Sequence, residues 1–156
     1  MSQEVFMKMA VDLALENVLN HRGGPFGAII VRNGRIISIG RNQVSSKNDP
    51  TAHAEMDAIR AACQYLNTYQ LTGCELYTSS EPCPMCLGAV YWARLKGVYY
   101  AASRKDAAKI GFEDDYIYHQ FTLPVEQRII PMSQILTKNT YEPYYAWVNQ
   151  PNKQQY

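Results

Sequence analysis

The chain has 156 residues, the length of a single domain with one sizeable core. A formal net charge of +1 excludes any global electrostatic case for a nucleic-acid or membrane partner. The hydrophobic fraction of 47% is ordinary for a globular protein, and no apolar run approaches the ~20 residues that span a bilayer.

Residues 4–19 read as an amphipathic helix, with Val5, Phe6, Met9, Leu13 and Val18 near helical spacing. His21-Arg22-Gly23-Gly24-Pro25 ends it, since glycine permits positive φ and proline cannot continue a helix. Phe26 to Arg32 and Arg35 to Gly40 are strand-like, and Asn33-Gly34 between them is a strong hairpin signal. Arg41 to Asp49 is polar and turn-like. A second helix is expected from Asp49-Pro50-Thr51, capped by Asp49 or Thr51 and running through His53 and Glu55 to about Leu66. Met56, Ile59 and Cys63 form its apolar stripe.

Gly73 breaks the chain and Glu75 to Ser79 reads as a strand. Ser80 and Pro82 start a third helix that carries Cys83 and Cys86 in its first turn and ends near Ala93. Gly97 to Ala101 is a short strand, and Ser103 to Tyr118 is helical with a break at Gly111. A last strand is expected around Arg128-Ile129-Ile130, then a helix within Thr137 to Val148 that Pro143 kinks or restarts. Residues 149–156 are polar and are expected to be disordered. Strands alternating with helices predict a three-layer α/β/α sandwich with a mixed sheet, one domain over residues 1–156.

The chemistry concentrates in two motifs, His53-Ala54-Glu55 and Pro82-Cys83-Pro84-Met85-Cys86. Two cysteines separated by two residues can place both thiolates on one metal ion, and His53 supplies a third ligand. Three protein ligands leave one position open, as in a catalytic rather than a structural zinc site. Helix N-termini favour negative charge and so help keep both cysteines as thiolates. Zinc held this way makes hydroxide available at neutral pH, and Glu55 is close enough in sequence to move its proton. His-x-Glu followed by Pro-Cys-x-x-Cys is the signature of zinc-dependent nucleobase deaminases. Cys63 and Cys74 are expected in the core, and His21 and His119 on loops or the surface. Free thiols without an export signal point to a reducing cytoplasm.

Beyond these motifs the chain resembles the small bacterial guanine deaminases of the cytidine-deaminase-like superfamily, nearly end to end. The resemblance rests on Gly23 to Ala28, Asn48 to Glu55, Tyr77 to Ser79, Glu81 to Ala89, Tyr91-Trp92-Ala93-Arg94, Asp106 to Ala108 and Gly111-Phe112-Glu113-Asp114. It implies a five-stranded mixed sheet and one catalytic Zn2+ per subunit, held by His53, Cys83 and Cys86. It implies hydrolysis of guanine to xanthine and ammonia, with Glu55 as proton shuttle. Asp114 would accept from the guanine N–H edge and help release ammonia, with Asp115 its competitor for the inward position. Phe26, Asn42, Ala54 and Trp92 are implied around the base. Tyr156 is implied at the end of a C-terminal segment, residues 132–156, that caps the site and is exchanged within a homodimer. The competing readings are a tRNA adenosine deaminase, a free-cytosine deaminase and a non-catalytic zinc module. The first needs a Lys/Arg cluster that residues 120–156 do not carry. The acidic stretch after Gly111 speaks against the second, and Glu55 against the third.

Overall fold

A computed structural model describes residues 2–156. Helix α1, Gln3–Leu19, precedes a hairpin of β1, Gly27–Arg32, and β2, Arg35–Arg41. Asn33 and Gly34 both take positive φ, 51° and 71°, the geometry that a two-residue hairpin turn requires. A short helix α2, Val44–Lys47, lies in the stretch read as turn. Then follow α3, Ala54–Leu66; β3, Cys74–Ser80; α4, Pro84–Trp92; and β4, Gly97–Ala102. The expected helix after Ser103 is two, α5, Arg104–Lys109, and α6, Asp114–Thr122, with Gly111 at φ +91° between them. A 3-10 turn, Val125–Gln127, and α7, Glu142–Asn149, complete the chain, with Pro143 in the first turn of α7.

The sheet order is β2-β1-β3-β4, with β3 and β4 parallel and the other pairs antiparallel. Four strands are present among the described residues, against the five expected. Ile129 and Ile130 are 71% and 73% exposed, and the Ile129 N–H donates to Gln120 Oε1 at 2.9 Å instead of joining a ladder.

Strand β1 is buried on both faces, so its residues divide between two cores. Ile29 and Val31 pack with Phe6 and Tyr77 under α1, while Ala28 and Ile30 pack with Ala54, Ala58 and Leu76 under α3 and α4. Burial of each such Ile or Leu stabilises by about 1.5–3 kcal/mol, which makes the sheet a firm platform.

Both helices approach the sheet at a glycine. A Cβ on Gly27 would lie 2.5 Å from Ala10 O, and one on Gly40 would lie 2.0 Å from Ala54 O. The buried face of α1 is Phe6, Ala10, Ala14 and Asn17, with the two alanines at the close approach to Gly27. Val5 and Val18, read as core, are 42% exposed on its flanks.

The start of α3 also differs from expectation. Asp49 Oδ1 accepts from the Thr51 N–H at 2.8 Å and hydroxyl at 2.7 Å, a local turn rather than a helix cap. The helix begins after His53, which is its N-cap. The C-terminal residues are placed against the domain and not disordered: Tyr69 OH donates to Gln155 O at 3.1 Å. No helix among the described residues is long and apolar enough to cross a membrane.

Candidate active site

Strand register assembles one end of the sheet into a floor. Gly27 pairs with Arg41 and Ala28 with Thr78, so the entry to β1, the exit of β2 and the exit of β3 lie side by side. Phe26, Asn42 and Ser80 therefore meet although they are distant in sequence. Helices α3 and α4 both begin above this floor, and the chain after β4 returns α6 to it. The result is a cavity of about 460 Å3, inside the ~300–1,000 Å3 range of small-molecule sites.

His53 and Cys83 line this cavity, and Cys86 is buried directly behind them. His53 and Cys83 are the N-caps of α3 and α4, and neither uses its side chain to cap its helix. Pro84 follows Cys83 at a position where its missing N–H costs nothing. His53 Nδ1 lies 3.6 Å from the sulfurs of both Cys83 and Cys86. A tetrahedral ion with Zn–N of about 2.05 Å and Zn–S of about 2.3 Å separates nitrogen from sulfur by roughly 3.6 Å. The three donor atoms lie within 4.8 Å of one another, and the donor set suits zinc.

Charge on this cluster is shared. The Cys86 thiol donates toward Cys83, and with His53 beside it the Cys83 pKa falls to about 4, while Cys86 is pushed up by the same hydrogen bond and by burial. His53 is raised, chiefly by its hydrogen bond with Cys83. A bound cation deprotonates the second thiol as well.

Glu55, in the first turn of α3, is 5% exposed and lines the same cavity. Its Oε1 accepts from Thr78 Oγ1 at 3.3 Å, and its Oε2 lies 3.6 Å from Cys86 Sγ. Burial raises its pKa above the usual carboxylate value. Thus a carboxyl that protonates more readily than usual stands beside the donor cluster.

Asn42 is buried at the exit of β2. Its Oδ1 accepts from the N–H groups of Gly24 at 3.2 Å and Val44 at 3.3 Å. The oxygen is thereby occupied, and the Nδ2 donors are left for the cavity. Phe26 meets Phe112 edge to face, ring centroids 4.7 Å apart, on the cavity wall. Asp114, at the start of α6, lines the cavity, and burial followed by the charge on Cys83 raises its pKa. Asp115 turns away and pairs with Arg104 at 3.1 Å.

Three residues singled out from the sequence lie elsewhere in this chain. Ala54 is fully buried in the core beneath α3 and does not line the cavity. Trp92, 65% exposed at the end of α4, borders a neighbouring groove with Met85, Ala89, Ile117 and Phe121 that opens onto Cys83 and Asp114. Tyr156 packs on Trp92 at 5.7 Å and Tyr69 at 6.5 Å, on the outer side of α3 and α4. Conversely, Ser80, Glu81 and Phe112 line the cavity without having been singled out. The Ser80 hydroxyl has no partner among the described residues. Glu81 precedes the Pro-Cys motif directly, which was the one available signal for it.

The chain belongs to the cytidine and deoxycytidylate deaminase zinc-binding family, whose zinc-binding region matches residues 1–102. Within that class it is 54% identical over 156 residues to a guanine deaminase of Bacillus subtilis, covering 100% of both chains. The solved structure of a guanine deaminase from that organism superposes with a TM-score of 0.96 over 100% of this chain and 99% of that one. A guanine deaminase of Nitrosomonas europaea is 35% identical with a TM-score of 0.69, covering 72% of this chain and 65% of that one. A tRNA-specific adenosine deaminase of Aquifex aeolicus is 47% identical over 105 residues, 67% of this chain and 69% of its own length.

Proposed function

We infer that this chain hydrolyses guanine to xanthine and ammonia. The observation that carries the reading is a cluster of three zinc donors, His53, Cys83 and Cys86, against a cavity that Glu55 and Asp114 also line, both carboxyls having a raised pKa. The full-length similarity to a guanine deaminase supports the choice of base.

His53, Cys83 and Cys86 would hold a zinc ion, which would supply a water acidified toward neutral pH for attack on the amino-bearing ring carbon. Glu55 takes the water proton, delivers it to the adjacent ring nitrogen and later protonates the departing amine. Its burial suits this work, because a carboxyl that is easily protonated holds the proton between the two transfers. Asn42 presents only N–H donors and so reads an acceptor on the ring. Phe26 and Phe112, close to right angles to each other, form the aromatic wall against which the ring packs. Asp114 accepts from the guanine N–H beside the amine, where adenine and cytosine present an acceptor. That contact favours guanine over both.

The same reading takes the protein as a cytoplasmic homodimer in which residues 132–156 of one subunit close the cavity of the other. The four free thiols support a reducing compartment. Met132, Ile135, Leu136, Tyr144, Tyr145 and Val148 are all at least 59% exposed in the single chain, an apolar surface that a second subunit would cover. The apolar groove beside Cys83 and Asp114 supports the same arrangement.

The test is ammonia release from guanine by zinc-loaded protein, with adenine, cytosine and a tRNA adenosine substrate in parallel. Guanine-selective release is expected. Release from the tRNA substrate and none from guanine would move the assignment to the adenosine branch. Sedimentation of the same sample as a monomer at micromolar concentration would refute the dimer.

A further inference from the structure

We propose that Asn17, a residue of α1 that does not line the cavity, is a positioning residue for ring recognition, acting through Asn42. The proposal rests on the reading of Asn42 as the donor to the substrate ring.

Asn17 is 0% exposed on a helix face otherwise made of Phe6, Ala10 and Ala14. An apolar side chain would satisfy that face at lower cost, since a buried amide must recover its hydration through hydrogen bonds. Asn17 makes two through one nitrogen. Its Nδ2 donates to Gly24 O at 2.9 Å and to Asn42 O at 2.9 Å. Its Oδ1 bonds to no protein atom among the described residues. The amide orientation is set by these two carbonyls, because the flipped form would point oxygen at oxygen.

Both acceptors belong to the wall that holds the Asn42 side chain. The Gly24 N–H donates to Asn42 Oδ1, and the Gly24 carbonyl also accepts from the Phe26 N–H at 2.8 Å. The Asn42 N–H in turn donates to Phe26 O at 3.2 Å. Gly23 completes the wall: a Cβ there would lie 2.3 Å from Asn42 O, so the loop is drawn against the backbone of Asn42. The Asn17 amide therefore clamps the loop before β1 to the exit of β2. With the clamp in place, the Gly24 N–H holds Asn42 Oδ1 and leaves Asn42 Nδ2 aimed at the ring. Without it, the loop and Asn42 lose their common tie, and the donor is no longer pre-positioned.

The test is a double-variant cycle on KM for guanine, with Asn17→Ala, Asn42→Ala and the pair, zinc content and melting temperature being measured on each. Asn17→Ala is expected to raise KM about tenfold, as for loss of a well-made hydrogen bond, with kcat changed far less and zinc retained. In the Asn42→Ala background the same substitution should raise KM no further. Full additivity of the two effects would overturn the proposal, as would a fall in melting temperature at unchanged KM. Unchanged KM in Asn42→Ala alone would overturn it by removing the residue through which Asn17 acts. Failure of the unsubstituted enzyme to act on guanine would instead refute the substrate assignment. Should Asn17→Ala not fold, the cycle is run with Asn17→Ser, whose hydroxyl retains one donor. Its KM should lie between those of the unsubstituted enzyme and Asn42→Ala, and an unchanged KM would overturn the proposal equally.

Discussion

At Gly40 the first turn of α3, which carries Glu55, is pressed against β2, and filling that contact tests the whole construction. Gly40 is not in the left-handed region, so its replacement by alanine carries no conformational strain. The cost is steric. The added Cβ would stand 2.0 Å from Ala54 O, 2.5 Å from Ala58 N and 3.0 Å from Ala58 Cβ. None of these is the free end of a flexible side chain. Ordinary contact begins at 3.4 Å, so the first turn of α3 must retreat by about 1.4 Å, the difference between 3.4 and 2.0 Å. Overpacking of this kind costs about 1–3 kcal/mol. At about 2–4 °C per kcal/mol for a domain of this size, the melting temperature of Gly40→Ala should fall by about 2–12 °C. The displaced turn also carries Glu55, and its N-cap is His53. A misplacement of about 1 Å costs on the order of 10²-fold in rate. Thermal unfolding followed by circular dichroism, with ammonia release from guanine on the same preparation, reads both. A variant that melts and turns over like the unsubstituted protein would refute the argument that Gly40 sets the height of α3 over the sheet.

Two further outcomes are expected. Glu55→Gln should retain one zinc per chain by elemental analysis while losing about 10²- to 10⁴-fold in turnover, the usual contribution of a proton-transfer group; zinc loss in step with activity would make Glu55 part of the metal's support instead. Asp114→Asn should lower turnover on guanine far more than Asp115→Asn, because Asp114 faces the cavity and Asp115 faces Arg104. Equal effects of the two on rate would remove Asp114 from ring recognition.

The local features of the chain were legible from residue types and spacing. Asn33-Gly34 specified its hairpin through positive φ, and Gly111 separated two helices in the same way. His53, Cys83 and Cys86 announced a metal cluster because few other chemistries use those residues at that spacing. What escaped were properties that depend on how close two elements come. Hydrophobicity placed Val5 and Val18 inward, but α1 meets Gly27 through Ala10, Leu13 and Ala14, which leaves Val5 and Val18 42% exposed. For the same reason Asn17 was invisible as a polar residue of the interior, since its partners are carbonyls supplied by a loop and a strand end. Ile129 and Ile130 have strand-like composition, yet a strand also needs a free neighbour, and the Ile129 N–H is spent on Gln120. Asp114 and Asp115 are alike in sequence, and only the start of α6 turns one to the cavity and the other to Arg104. Residue chemistry determined which groups could act here; backbone approach and strand register decided which of them meet.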